Sequence, residues 1–116
     1  MILQLEFKLP SDGLYSVQWW ANARNVDREF ECSGNTDCNK RALGIELHQF
    51  WPNDVLIAHS STHNKLGFCE SGTINGNAIF EAKAGSTYRF VNSSAVDFRL
   101  IPNDLYSASV YITRVN

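Results

Sequence analysis

The sequence predicts an all-β protein, a jelly-roll-like antiparallel β-sandwich of about eight or nine strands in a single domain, residues 1–116. Three observations predict this fold. Segments with alternating apolar and polar residues recur every ~8–12 residues, as the strands of sandwiches do. Turn-forming residues separate these segments. No segment has a convincing helical period. A closed barrel is the alternative architecture.

The alternating segments are, in chain order, LQLEFKL, LYSVQWWA, REFEC, ALGIELHQF, AIFEAKAG, STYRFVN, AVDFRL and YSASVYITRV. In the middle of the chain, the apolar run VLIAH at residues 55–59 is typical of a short buried strand, and its alternation places His59 on the apolar side. The dipeptide Asn75-Gly76 predicts a hairpin turn, because both residues tolerate a positive φ.

The segment LYSVQWWA carries two adjacent tryptophans on opposite faces of its predicted strand. Trp19 falls on the side of Val17, and Trp20 falls on the side of Ser16 and Gln18. An aromatic ring on a polar strand face can stack on the apolar face of a sugar while neighbouring polar side chains bond its hydroxyls. The alternative is that both tryptophans are buried, one in each layer of the fold.

A second group of candidate ligand-binding residues surrounds the segment WPND. Trp51 offers another stacking ring, although it can equally be a plug beneath its loop, and Asn53 and Asp54 offer hydrogen-bonding groups. The polar stretch that follows adds His63 and Asn64. The predicted ligand-binding residues are therefore Trp20, Trp51, Asn53, Asp54, His63 and Asn64.

Pro-Asn-Asp occurs twice, at residues 52–54 and 102–104. Proline fixes φ, and Asn and Asp side chains bond to nearby backbone, so both segments form turns without any ligand. The functional alternative is a metal site. Asp54 and Asp104 are hard oxygen ligands, and two such loops at one end of a sandwich can share a calcium ion.

Charge and composition exclude several classes of partner. A net charge of −2 and a pI near 5.8 argue against nucleic acid, which needs a basic face. No apolar run approaches the ~18 residues of a membrane-spanning helix. The segment MILQLEF lacks the pattern of a signal peptide, so we expect either that an export signal lies outside these residues or that the protein has none.

The cysteines favour an oxidising compartment. Cys32 and Cys38 close a small loop of turn-forming residues in ECSGNTDC, which is where a disulfide is expected in a secreted or extracellular protein. Two free thiols in a cytosolic protein are the alternative, and the unpaired Cys69 weakens the secretory interpretation.

Catalytic motifs are lacking in the sequence. There is no Gly-x-Ser-x-Gly elbow, no His-Glu-x-x-His and no phosphate-binding glycine loop. His59, His63 and Cys69 do not have the compact spacing of a zinc site. We therefore predict a protein that is not an enzyme.

Several segments resemble those of known families. FKLPSDGLYSV resembles the opening of bacterial jelly-roll modules, and GIELHQFWPNDVLIAHSS and AIFEAKAGSTYRFVN are similar to segments of pre-peptidase C-terminal domains. That resemblance implies an extracellular β-sandwich that binds a substrate or surface and is sometimes stabilised by calcium. LIPNDLYSASVYI is similar to the late Asn-Asp segment of galactose-binding-like bacterial lectins, but it lacks the longer Asn-rich loop that holds calcium and sugar there.

The predicted function is non-catalytic binding, with a carbohydrate or cell-surface glycan as the leading partner. Affinity at such a shallow polar site is modest, so multivalency through a homo-oligomer is expected. The alternative is a protein-interaction module, such as an inhibitor, a toxin accessory or a structural subunit, that uses an exposed sheet face with Trp20 and Tyr111 as anchors.

Overall fold

A computed structural model describes residues 2–26, 41–59, 64–66, 71–94, 98–100 and 108–116, and side chains are not described at 2–5, 41, 64–66, 71, 99 and 100. These residues form ten strands and no helix. The strands are β1 (Ile2–Lys8), β2 (Gly13–Asn25), β3 (Arg41–Leu43), β4 (Ile45–Trp51), β5 (Val55–His59), β6 (Asn64–Leu66), β7 (Ser71–Ala82), β8 (Thr87–Asn92), β9 (Phe98–Leu100) and β10 (Ala108–Arg114).

Eight of these strands form two antiparallel sheets, which confirms the predicted all-β sandwich. The β4 sheet has the order β1-β8-β4-β5. The β2 sheet has the order β10-β2-β7, and β9 pairs with the end of β2 on the same edge as β10. The short strands β3 and β6 pair with each other. Because β1 pairs with β8 in one sheet while β2 pairs with β7 in the other, the chain wraps as a ribbon around the core, as a jelly roll does.

The core lies between the two sheets and is rich in aromatic residues. Trp19 of β2 meets Phe90 of β8 edge to face, with ring centroids 5.3 Å apart. Phe80 of β7 contacts Tyr88 of β8 at 5.1 Å. Trp19 is only 4% exposed. The alternation of β2 is therefore realised as predicted, with Trp19 facing the core and Trp20 facing outward.

The hairpin predicted at Asn75-Gly76 is wrong. Both residues lie in the middle of β7, which pairs with β2 without interruption from Ser71 to Ala82. Gly76 is buried directly opposite Trp19 on the inner face of the sheet. The glycine leaves room for the indole, so here it serves close packing rather than a turn.

The strand VLIAH forms, but its predicted burial is wrong. As β5 it lies at the edge of the β4 sheet, where Val55 is 46% exposed and Leu56 is 49% exposed. His59 is exposed as well. A short apolar run does not distinguish an edge strand from a central one, because only the neighbouring strands determine that difference.

Two further predictions fall partly or wholly outside the described residues. Residues 52–54 do form the bend between β4 and β5, with a cis peptide bond between Trp51 and Pro52, whereas the second Pro-Asn-Asp segment and the REFEC strand lie outside the description. Within the described ranges, no helix is long and apolar enough to cross a membrane.

Candidate functional site

The outer face of the β2 sheet presents three complete rows of side chains that cross β10, β2 and β7. We call these nine positions the platform. The rows are Ser109–Trp20–Asn75, Tyr111–Gln18–Asn77 and Thr113–Ser16–Ile79. None of the nine is charged, and none is buried. The platform is therefore a neutral surface of amides, hydroxyls, two aromatic rings and the exposed aliphatic side chain of Ile79.

The two aromatic residues of the platform are neighbours on the sheet. Tyr111 lies directly opposite Gln18, and Trp20 lies opposite Ser109, so the two rings occupy diagonal positions. Diagonal neighbours are about 7–8 Å apart, within reach of large side chains. Trp20 is half-buried and therefore anchored in the sheet, while Tyr111 is 67% exposed. Together they can present two stacking surfaces to one ligand.

Amide side chains flank these rings. Trp20 pairs with Asn75 across the β2–β7 ladder, and Gln18 pairs with Asn77 in the adjacent row. An open groove of about 640 Å³ lies over this region. Its lining includes Gln18, Trp20, Asn75, Asn77, Ser109 and Tyr111. Amides both donate and accept hydrogen bonds, so this groove suits a ligand that carries many hydroxyl groups.

Trp51, Asn53 and Asp54 lie elsewhere, at the tip of the β4–β5 hairpin. Trp51 is 56% exposed at the end of β4 and does not line the groove around Trp20. The loop is held by its own chain, since the side-chain amide of Gln49 donates to the carbonyl oxygen of Asn53 at 3.0 Å. The structure therefore separates the predicted ligand-binding residues, with Trp20 on one sheet and this group on the other.

The carboxylate of Asp54 contacts a histidine on the outer face of the β4 sheet. His48 Nδ1 lies 3.0 Å from Asp54 Oδ1, and His48 Nε2 lies 2.7 Å from Glu46 Oε2. Burial lowers the pKa of His48, but the hydrogen bonds and the negative charges of Glu46 and Asp54 together outweigh it, so the pKa is raised above 6.5. The imidazole of His48 therefore lies between two carboxylates.

An arginine completes this charged face. The guanidinium of Arg89 lies over the ring of Phe50, 3.6 Å from its centroid, and its terminal nitrogen is 3.8 Å from Glu6 Oε1. A smaller hollow of about 240 Å³ lies between Phe50, Arg89, His48 and Asp54. The charged side chains of this face therefore have ionic partners within the molecule.

The metal and disulfide predictions rest mostly on residues outside the described ranges. His63, Asp104, Cys32 and Cys38 lie there, and the side chain of Asn64 at the start of β6 is not described. Among the described residues, no group of three or more His, Cys, Asp and Glu side chains is arranged to hold a metal ion.

Sequence reasoning missed Asn75 and Asn77 as site residues. The alternation of outward positions from Thr73 to Ile79 in β7 was a usable signal, but the turn preference of Asn75-Gly76 obscured it.

Comparison of the chain with models of known protein families gives no match, and neither does comparison with curated proteins.

Proposed function

We propose that the protein is a non-catalytic carbohydrate-binding module whose binding surface is the platform on the β2 sheet. Trp20 and Tyr111 stack on the apolar faces of sugar rings. Gln18, Asn75 and Asn77 bond the hydroxyl groups around them.

The observation that carries this proposal is the neutrality of the platform. Its nine residues include two aromatic rings and three amides but no charge. Charged ligands gain little at such a surface, whereas a neutral sugar has an apolar face for the rings and hydroxyls for the amides. An extracellular location, where glycans are exposed on cell surfaces, belongs to the same proposal.

The shape of the site suggests the form of the ligand. The groove is open along the sheet rather than enclosed, so it suits several units of an extended oligosaccharide better than one deeply buried monosaccharide. Such a surface keeps much of its water, and affinity per site is expected to be modest.

A glycan array probed with the purified protein, with and without chelator, tests the proposal. We expect binding to neutral oligosaccharides that survives chelation, because Asp54 lies on the other sheet and takes no part in the platform. Trp20→Ala is expected to weaken binding at least tenfold, since losing a stacked, desolvated ring costs more than about 1.4 kcal/mol.

Trp51→Ala is the matched control, because it removes an equally large and more exposed indole at the hairpin tip. It is expected to leave binding unchanged. Gln18→Ala removes an exposed polar side chain and leaves the core intact. It is expected to weaken binding while the protein stays folded, so it separates loss of binding from loss of folding. Silence of the wild-type protein on the array, or equal binding by wild type and Trp20→Ala, would refute the proposed site.

A second candidate function, protein interaction, is favoured by the β4–β5 hairpin. Four apolar residues of this one hairpin, Phe50, Trp51, Val55 and Leu56, are each between 41% and 56% exposed, and the charged residues Asp54 and Arg89 lie beside Phe50. Exposed apolar groups of this kind mark interaction surfaces. If the array is silent, comparison of co-purified proteins between wild type and Leu56→Asp tests this surface, with Ile79→Asp on the other sheet as control.

A further inference from the structure

Among the described strands, β10 lies at one edge of the β2 sheet. On one side its seven residues pair with β2 in continuous register from Ala108 to Arg114. No other described strand pairs with its second side. A row of backbone donors and acceptors is therefore available along the margin of the platform.

The register identifies which backbone groups point outward. The N–H of Val115 donates to the carbonyl oxygen of Leu14 at 2.7 Å, which makes this a hydrogen-bonded pair. Hydrogen-bonded and non-hydrogen-bonded pairs alternate along an antiparallel ladder. Tyr111 therefore bonds to β2, whereas Val110 and Ile112 direct their N–H and C=O groups away from β2, toward the edge of the sheet.

Nothing in the sequence of β10 blocks pairing at this edge. Residues 108–113 read ASVYIT and contain neither proline nor a charge, the features that usually protect exposed edges. Among the other long edge strands, β1 carries outward charges at Glu6 and Lys8, and β7 carries a charge at Glu81 and contacts β5 and β6. The charge of Arg114 is held at the strand end, where its guanidinium donates to the backbone oxygens of Asp12 and Asn116.

We infer that β10 pairs antiparallel with β10 of a second copy of this chain, with the two-fold axis at Tyr111. Tyr111 is the midpoint of the strand, so this register pairs all seven residues. It also places the outward backbone groups of Val110 opposite those of Ile112 of the partner subunit, as antiparallel hydrogen bonding requires. Tyr111 then faces Tyr111 of the partner subunit in a non-hydrogen-bonded pair, where side chains approach most closely.

The strand chemistry fits a copy of itself. Val110 meets Ile112 of the partner subunit on the inner face, and Ser109 meets Thr113 of the partner subunit on the outer face, which are favourable cross-strand pairs. The two copies of Arg114 lie at opposite ends of the interface and do not repel. The resulting interface is isologous and closed, as in most two-fold dimers.

The dimer goes beyond the proposed function and does not depend on it. It would join two platforms into one continuous sheet face, with the paired Tyr111 rings at its centre. Two sites on one face bind a repeating glycan with higher avidity than one site. The association itself is tested without any sugar, so its failure and the failure of carbohydrate binding are distinguishable.

The test is the mass of the protein measured by sedimentation across a concentration series. Wild type is expected to be dimeric at high concentration. Tyr111→Lys and Tyr111→Glu are each expected to shift to monomer, because like charges face each other at the two-fold axis. An equimolar mixture of the two variants is expected to restore dimer, since the charges are then opposite. Ile79→Lys, which adds charge at the far side of the same face, is expected to remain dimeric.

A wild-type protein that stays monomeric at every concentration would overturn the inference. So would dimeric Tyr111→Lys alone, because pairing would then lie elsewhere. Monomeric variants whose mixture does not recover dimer would reject the register centred on Tyr111. Circular dichroism of the separate variants checks that each retains its strands, which is expected because Tyr111 is largely exposed.

Discussion

The outer faces of the two sheets are built from opposite chemistry. On the β4 sheet, His48 bonds to Glu46 and to Asp54, and Arg89 covers Phe50. On the β2 sheet, the platform carries no charge at all. Charges that are paired within the molecule gain little from a ligand, because binding must first break those pairs. The uncharged platform, with two aromatic rings beside one open groove, is therefore the better candidate site for a neutral ligand.

The largest expected effect is on the free energy of unfolding, and it concerns the hydrophobic core between the two sheets. Trp19→Ala removes the ring that contacts Phe90 across the sandwich and is expected to lower the free energy of unfolding by about 3–5 kcal/mol. Trp20→Ala, one residue away on the outer face, is expected to cost much less. The free energies of unfolding of the two variants are measured by urea unfolding, with the same m-value used for both. Equal losses would mean that Trp20 is a core residue and not part of a binding surface.

A second prediction concerns the register that keeps the inner and outer faces apart. Gly76→Val places a branched side chain opposite Trp19 in the closed core and is expected to cost about 1–3 kcal/mol. Asn77→Val, the adjacent outward position, is the control and is expected to change stability by less than about 0.5 kcal/mol. Thermal or urea unfolding measures both. A stable Gly76→Val would show that the indole does not need the space the glycine leaves.

The third prediction concerns the pH dependence of stability, which we expect to arise from His48 on the charged face of the β4 sheet. The pKa of His48 is raised in the folded state, so its stabilising contribution is fully present below pH 6.5 and is lost as pH rises through the folded pKa. For a half-exposed cluster we expect less than about 1 kcal/mol. His48→Gln is expected to flatten this part of the stability profile.

Unfolding measured from about pH 5 to pH 9 checks this expectation. Asn77→Ala on the platform is the control and is expected to keep the wild-type profile, because an amide does not titrate. An unchanged profile in His48→Gln would mean that the contacts with Glu46 and Asp54 do not contribute to stability.

The smallest expected effect is that of salt on sugar binding. Because the platform is uncharged, its affinity for a neutral oligosaccharide is expected to change less than about twofold between low and high ionic strength. Titration of the best array ligand at two salt concentrations measures this. A steep loss of affinity with salt would instead place the ligand on the charged face around Arg89 and His48.

The part of the platform that lies on β2 could be predicted from local pattern. The alternation in LYSVQWWA placed Trp20 beside Gln18 on an outward face and Trp19 in the core, and both placements are confirmed. This inference succeeds because successive side chains of a strand always point to opposite faces. It fails at Asn75-Gly76, where a local turn preference is overridden by pairing along the whole of β7. It also fails at β5, where exposure depends on which strands lie alongside.

The sequence alone established the strand content and the alternation of faces, because these properties depend on neighbouring residues. The tertiary structure was needed to bring Asn75 and Tyr111 beside Trp20, and to place Trp51 with Asp54 on the other sheet. The first of these relations is fixed by the ladders that pair Trp20 with Asn75 and Gln18 with Tyr111, residues more than fifty positions apart in the chain. No local pattern encodes them, because each ladder forms only where the partner strand presents a matching apolar face to the shared core.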